Sequence, residues 1–210
     1  MTFPELTAAE QRYRTNLINS LHGYKSTALC GTSNAAGVHN LAVISSVFHV
    51  GATPPLVGML MRPHTVARHT LENLRETGCY TLNLLHPAIL RQAHQCSASY
   101  AEGVSEFTET GLTPVIKNLL AAPYVAESRL QMGLKFVEEY TLRSNSCIVV
   151  VGEMVELFCA DDAILSDGTI DHHRLETVAA SSLDSYNTGV PVAKFTYPKP
   201  DTWTMLVSGE

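Results

Sequence analysis

The spacing of apolar residues changes period several times along the chain. Tyr13, Leu17 and Leu21 recur at i, i+4 and i+8, the stripe of an amphipathic helix. Thr7-Ala8-Ala9-Glu10 ahead of them reads as a capping box and Gly23 as a C-terminal stop. The period then drops to two. Ser26–Gly31, Val38–Val50 and Leu56–Met61 are predicted strands, the second rich in β-branched residues. Pro54 and Pro55 lack an N–H to donate and belong in the connection between strands. Ala67, Leu71 and Leu74 mark a helix that ends at Gly78. Tyr80, Leu82 and Leu84 then alternate with Thr81 and Asn83 as a strand over Cys79–Leu85. Pro87 opens a helix to about Cys96. Residues 97–125, broken by Gly103, Gly111, Pro114 and Pro123, read as an excursion with a short helix near Ile116–Leu120. Two long strands follow. In the first, Leu134, Phe136, Tyr140 and Leu142 share a face; the second runs over about Cys147–Cys159. A helix around Asp171–Val178 precedes a tail rich in Gly, Pro and Tyr.

This order predicts a mainly β fold with peripheral α elements, antiparallel and closed into a barrel. Its 210 residues suit one domain over 1–210. Residues 1–23 form its N-terminal helix, 24–160 its barrel core and 161–210 an extension that completes it. Composition adds one anomaly. Only 16% of the residues are charged, against about 25% in ordinary soluble proteins, and between Lys25 and Arg62 there is no Asp, Glu, Lys or Arg at all. Gly31, Asn34, Gly37, Asn40, Gly51 and the two prolines break that stretch into pieces too short for a membrane span. The first residues lack the order of a signal peptide. A net charge of −6 without Lys/Arg clusters argues against a nucleic-acid partner. Five cysteines, odd in number and without a C-x-x-C pair, fit reduced thiols in the cytoplasm.

The residues of and just beyond the neutral stretch carry the candidate chemistry. Asn40-Leu-Ala-Val-Ile-Ser45-Ser46-Val47-Phe48 is a strand bearing small hydroxyls; Pro54-Pro55-Leu-Val-Gly58 leads to Arg62; His69-Thr70-Leu-Glu-Asn73-Leu starts a helix. An uncharged strand with hydroxyls suits a planar heterocycle with a polar edge, since a charge beside it would have to be desolvated. A cation near a helix N-terminus suits a phosphate. Ring and phosphate together suggest a mononucleotide; the plain alternative is an ordinary interior sheet. His86, His94 and Cys96, and the pair His172-His173, lack metal-ligand spacing, so no metal is expected. No Gly-x-Ser-x-Gly, Gly-x-Gly-x-x-Gly or P-loop sequence occurs.

Taken in order, these blocks resemble the flavin reductase-like family. Thr77-Gly78-Cys79-Tyr80-Thr81-Leu82-Asn83, Ser105-Glu-Phe107, Gly111-Leu112, Val151-Gly152-Glu153 and Leu183-Asp-Ser-Tyr186 continue the likeness to about residue 190. The resemblance implies an FMN-binding split β-barrel with Greek-key topology and flanking helices. It implies an FMN-dependent oxidoreductase, moving electrons from NAD(P)H through FMN to an acceptor, or a flavoredoxin-like electron carrier without an NAD(P)H step. FAD stays an alternative to FMN. Asn40, Ser45, Ser46 and Val47 match the strand beside the flavin ring, and Arg62, His69 and Thr70 match the phosphate positions. A homodimer and a redox partner protein are also implied. Cys147 stands where relatives often carry a His, which puts the NAD(P)H step in question; a buried, inert thiol is the alternative role. No side chain is expected to act as catalytic acid or base, because the flavin carries the chemistry.

Overall fold

In a computed structural model the described residues are 2–101 and 103–209. The N-terminal stripe forms two helices, not one: α1 (Phe3–Ala8) and α2 (Gln11–Ser20). Glu10 does not reach back to Thr7. It caps α2 forwards, accepting from the N–H groups of Arg12 and Tyr13 at 2.9 Å each, and the reciprocal capping box falls on Thr2 and Glu5 instead. Neither helix buries a residue.

The neutral stretch gives β1 (Lys25–Ser26), β2 (Ala28–Ser33), β3 (His39–Ile44), β4 (Val47–Ala52) and β5 (Pro55–Met61). Pro55 thus opens a strand, at a position where its missing N–H costs least. The run expected as a single strand over Val38–Val50 breaks at Ser45-Ser46. After it come α3 (His69–Thr77), closed by Gly78 in the left-handed conformation, β6 (Cys79–Leu84), α4 (Leu90–Gln95) and α5 (Glu106–Thr110). No helix forms at Ile116–Leu120; that segment lies between the short strands β7 (Pro114–Val115) and β8 (Tyr124–Val125). The long strands are β9 (Leu130–Thr141) and β10 (Ile148–Cys159). The helix expected over Asp171–Val178 is replaced by turns, because Val178 is needed in β11 (Val178–Ala180), which pairs with β1. The tail adds β12 (Tyr186–Thr188) and a hairpin of β13 (Ala193–Phe195) and β14 (Leu206–Gly209).

Seven strands form one antiparallel sheet in the order β3-β2-β6-β9-β10-β5-β4. Its two edges, β3 and β4, are consecutive in the chain and joined only by Ser45 and Ser46. Two residues cannot span an open seven-stranded sheet, so the sheet curls until its edges meet. The barrel closes through the chain, with no ladder between β3 and β4. The Leu60 N–H donates to the Ser46 carbonyl at 3.0 Å, extending the β4–β5 ladder one residue into the crossing.

Alternate residues of the strands fill the interior: Ala28, Cys30, Leu82, Leu134 and Val150 are sealed there, joined by Leu71 and Leu74 of α3. The opposite face of β2 and β3 offers Leu29 and Leu41 to a second cluster with Ile89, Phe107 and Val125. Loop and wall meet closely at Gly31, where a Cβ would lie 2.1 Å from the Pro123 carbonyl oxygen. Asn83, fully buried, stitches this contact by donating to the Leu29 carbonyl and accepting from the Val125 N–H.

Candidate functional site

Residues expected at the site gather in two places along the seam. The first is the junction of β3 with α3. Asn40 is buried and its amide donates to the Thr70 hydroxyl at 3.0 Å and to the Thr32 hydroxyl at 3.4 Å. Thr70, the second residue of α3, is buried, and His69, the first, is half-buried. The Leu71 and Glu72 N–H groups already bond the Arg68 carbonyl, whereas those of His69 and Thr70 have no partner among the described residues. Free N–H groups in a first turn favour an anion. Glu72, the acid of the same turn, is held by His64 at 2.7 Å and by the Arg68 N–H at 3.1 Å. These contacts keep its carboxyl below the usual range.

The second place is the crossing from β3 to β4. Ser45 and Ser46 are half-buried there, and neither hydroxyl has a hydrogen-bond partner among the described residues. Val47 turns its side chain toward the barrel interior, leaving only its backbone for a ligand. Ser45 stands five residues from Asn40, about 17 Å along an extended strand, so the two places suit the two ends of an elongated ligand.

Arg62 follows directly on β5 and is exposed. No carboxylate lies within ion-pair distance of it among the described residues. Lys25 approaches it: burial first, and then the Arg62 guanidinium, hold the Lys25 ammonium below its ordinary value. Lys25 was not legible as a site residue, yet it has a sequence signature. Lys25 and Arg62 bracket the neutral stretch, and in the fold the Arg62 charge is felt at Lys25. Met61 pairs with Ile148 in the sheet, which puts Cys147 across from Arg62. That thiol is free and half-buried, neither sealed in the core nor fully open. Among the described residues no cluster of three or more His, Cys, Asp or Glu could hold a metal ion, and no helix is long and apolar enough to cross a membrane.

This arrangement is open to an elongated anion with a polar-edged body; the comparisons with known proteins bear on the family and the fold. Residues 22–174 match the model of the flavin reductase like domain. A crystal structure from Shewanella frigidimarina NCIMB 400, of a candidate flavin reductase with a split barrel domain, shares 45% identity and superposes with a TM-score of 0.90. The match covers 94% of this chain and 98% of that one. Nitrilotriacetate monooxygenase component B from Bacillus cereus, 19% identical, has a TM-score of 0.78 over 88% of this chain and 93% of that one. Flavoredoxin of Desulfovibrio vulgaris (Miyazaki F), 22% identical, gives 0.69 over 85% and 92%. At those identities the last two speak for the fold alone. With strands making up 37% of the chain and helices 20%, the fold is the mainly β split barrel, and the chain belongs to the flavin reductase-like family.

Proposed function

We propose that this protein is an FMN-binding oxidoreductase that passes electrons from NAD(P)H through bound FMN to an acceptor. The observation that carries this reading is the pair of open places along the seam: the unbonded His69 and Thr70 N–H groups at the start of α3 and the unpaired Ser45 and Ser46 hydroxyls at the crossing, among the described residues. A phosphate fits the free N–H groups of α3, with Arg62 as the candidate cation for it. The unpaired hydroxyls of Ser45 and Ser46 fit the polar edge of a flavin ring. FMN, when bound, supplies the hydride-accepting ring. The chain's own share is to hold it: Arg62, His69 and Thr70 toward the phosphate, Ser45, Ser46 and the Val47 backbone toward the ring. Asn40 acts from behind, fixing Thr70. FMN is proposed ahead of FAD from the resemblance of the ring and phosphate blocks to the FMN-binding split barrel.

The five free cysteines suit the reducing cytoplasm, and 1–210 is proposed as a single domain. A homodimer is proposed from the apolar side chains left open on the terminal segments, among them Tyr197 and Trp203. Cys147 favours a second reading, an electron carrier with no NAD(P)H step, because a thiol replaces an imidazole beside the flavin.

Arg62→Ala is expected to weaken FMN binding by about 1–3 kcal/mol, read by quenching of flavin fluorescence; unchanged affinity removes Arg62 from the phosphate site. Stopped-flow mixing of the flavin-loaded protein with NADH and with NADPH separates the two readings. Bleaching of the flavin absorbance supports the reductase, and its absence with both nucleotides leaves the carrier.

A further inference from the structure

A cleft of about 650 Å³ opens at the far end of β10, at Phe158, Cys159 and Ala160. Eleven residues of strand, about 36 Å if fully extended, separate Cys159 from Ile148 and the Arg62 end of the sheet. None of the residues assigned to flavin lines it. The volume is that of an ordinary small-molecule site.

Its charges are distinctive in a chain of net charge −6. Three cations, Lys117, Arg129 and Arg174, border it, with one acid, Asp162. The two arginines are already neutralised, Arg174 by Asp162 and Arg129 by Glu176. Lys117 is different. Its ammonium sits 3.7 Å from the Phe158 ring centroid and 5.1 Å from that of Tyr124, and it donates to the buried Gln131 amide oxygen. No carboxylate lies within ion-pair distance among the described residues. Glu156 acts on it only through space and is itself engaged by the Tyr124 hydroxyl at 2.7 Å. Desolvation pushes the Lys117 ammonium below its ordinary value, with the Glu156 carboxylate opposing it, so the lysine is held half-buried with no direct ion pair among the described residues. The aromatic rings and Gln131 fix its position and leave an ammonium N–H for a further acceptor. The apolar part of the wall is Val115, Ala126 and Leu175.

We propose that this cleft binds a small organic anion, a carboxylate on a compact apolar body, with Lys117 as its counter-ion. One unpaired cation matches a monoanion, and the apolar wall matches a hydrocarbon body better than an inorganic ion. The site is independent of the flavin reading, so either can fail alone.

Benzoate is the probe, titrated calorimetrically into the full-length protein with and without added FMN. Saturable binding that FMN does not displace is expected. Benzamide, neutral and of the same shape, should bind at least about tenfold more weakly, as should benzoate to Lys117→Met, the scale of a lost charge-assisted contact. Lys117→Arg should retain benzoate within a few-fold, which keeps the test decisive if the methionine variant folds poorly. Absence of saturable heat to about 10 mM, displacement by FMN, or equal affinities for benzoate and benzamide would overturn the proposal.

Discussion

Leu134 and Trp203 stand at opposite extremes of one molecule. Leu134 is 0% exposed, sealed inside the barrel, whereas Trp203 is 91% exposed in the tail. The contrast extends to whole regions. Strands β2 and β6 bury every residue, while α1 and α2 bury none. Val190, Val192, Phe195, Tyr197 and Met205 leave most of their surface open. Apolar side chains are recruited to both regions, but only the barrel supplies something to bury them against. Terminal segments built this way are suited to packing on a second surface, such as another copy of the chain.

That contrast can be broken by substitution. The largest effect is expected at Leu134→Ala, about 2–5 kcal/mol lost in denaturant unfolding, because the barrel cannot collapse around the cavity. Gly31→Ala follows, about 1–3 kcal/mol, since the new methyl meets the Pro123 carbonyl, a backbone atom that cannot rotate away. Trp203→Ala should change unfolding by no more than about 0.5 kcal/mol in a single copy, yet weaken the proposed homodimer in sedimentation. A destabilised but fully dimeric variant would place Trp203 in the chain's own core and undo the comparison. The smallest effect concerns thiols. Burial pushes Cys96 up to about 11, and Cys30 is raised further, so neither should react with iodoacetamide at pH 8. Cys147 and Cys159, partly open, should be labelled first in mass spectra.

Much of the barrel was legible because its signal is local. Alternation in Cys79–Leu85 and the β-branched run of β10 gave strands where strands occur. The break at Ser45-Ser46 was not legible, because apolar periodicity continues through it and only the meeting of the two sheet edges demands a crossing there. The helix expected near Ile116 failed because its apolar residues do not share a buried face: Leu120 is sealed, whereas Ile116 and Leu119 are exposed. The true helix, α5, hid behind a charge: Glu106 is buried and accepts from the Leu41 N–H at 2.8 Å, a partner 65 positions away. At the site, Thr70 and Asn40 could be proposed from motif order, but their mutual hydrogen bond could not. Lys25 became a candidate only once the fold set its ammonium within reach of the Arg62 charge.

The crossing at Ser45-Ser46 has a consequence for motion. A fully laddered barrel must break hydrogen bonds to widen, whereas here β3 and β4 can part by rotation about two residues while every other strand pair stays intact. Amide protons of β3 and β4 that face this gap should therefore exchange with deuterium earliest among the seven strands. A guest held at the crossing could then come and go without melting the wall.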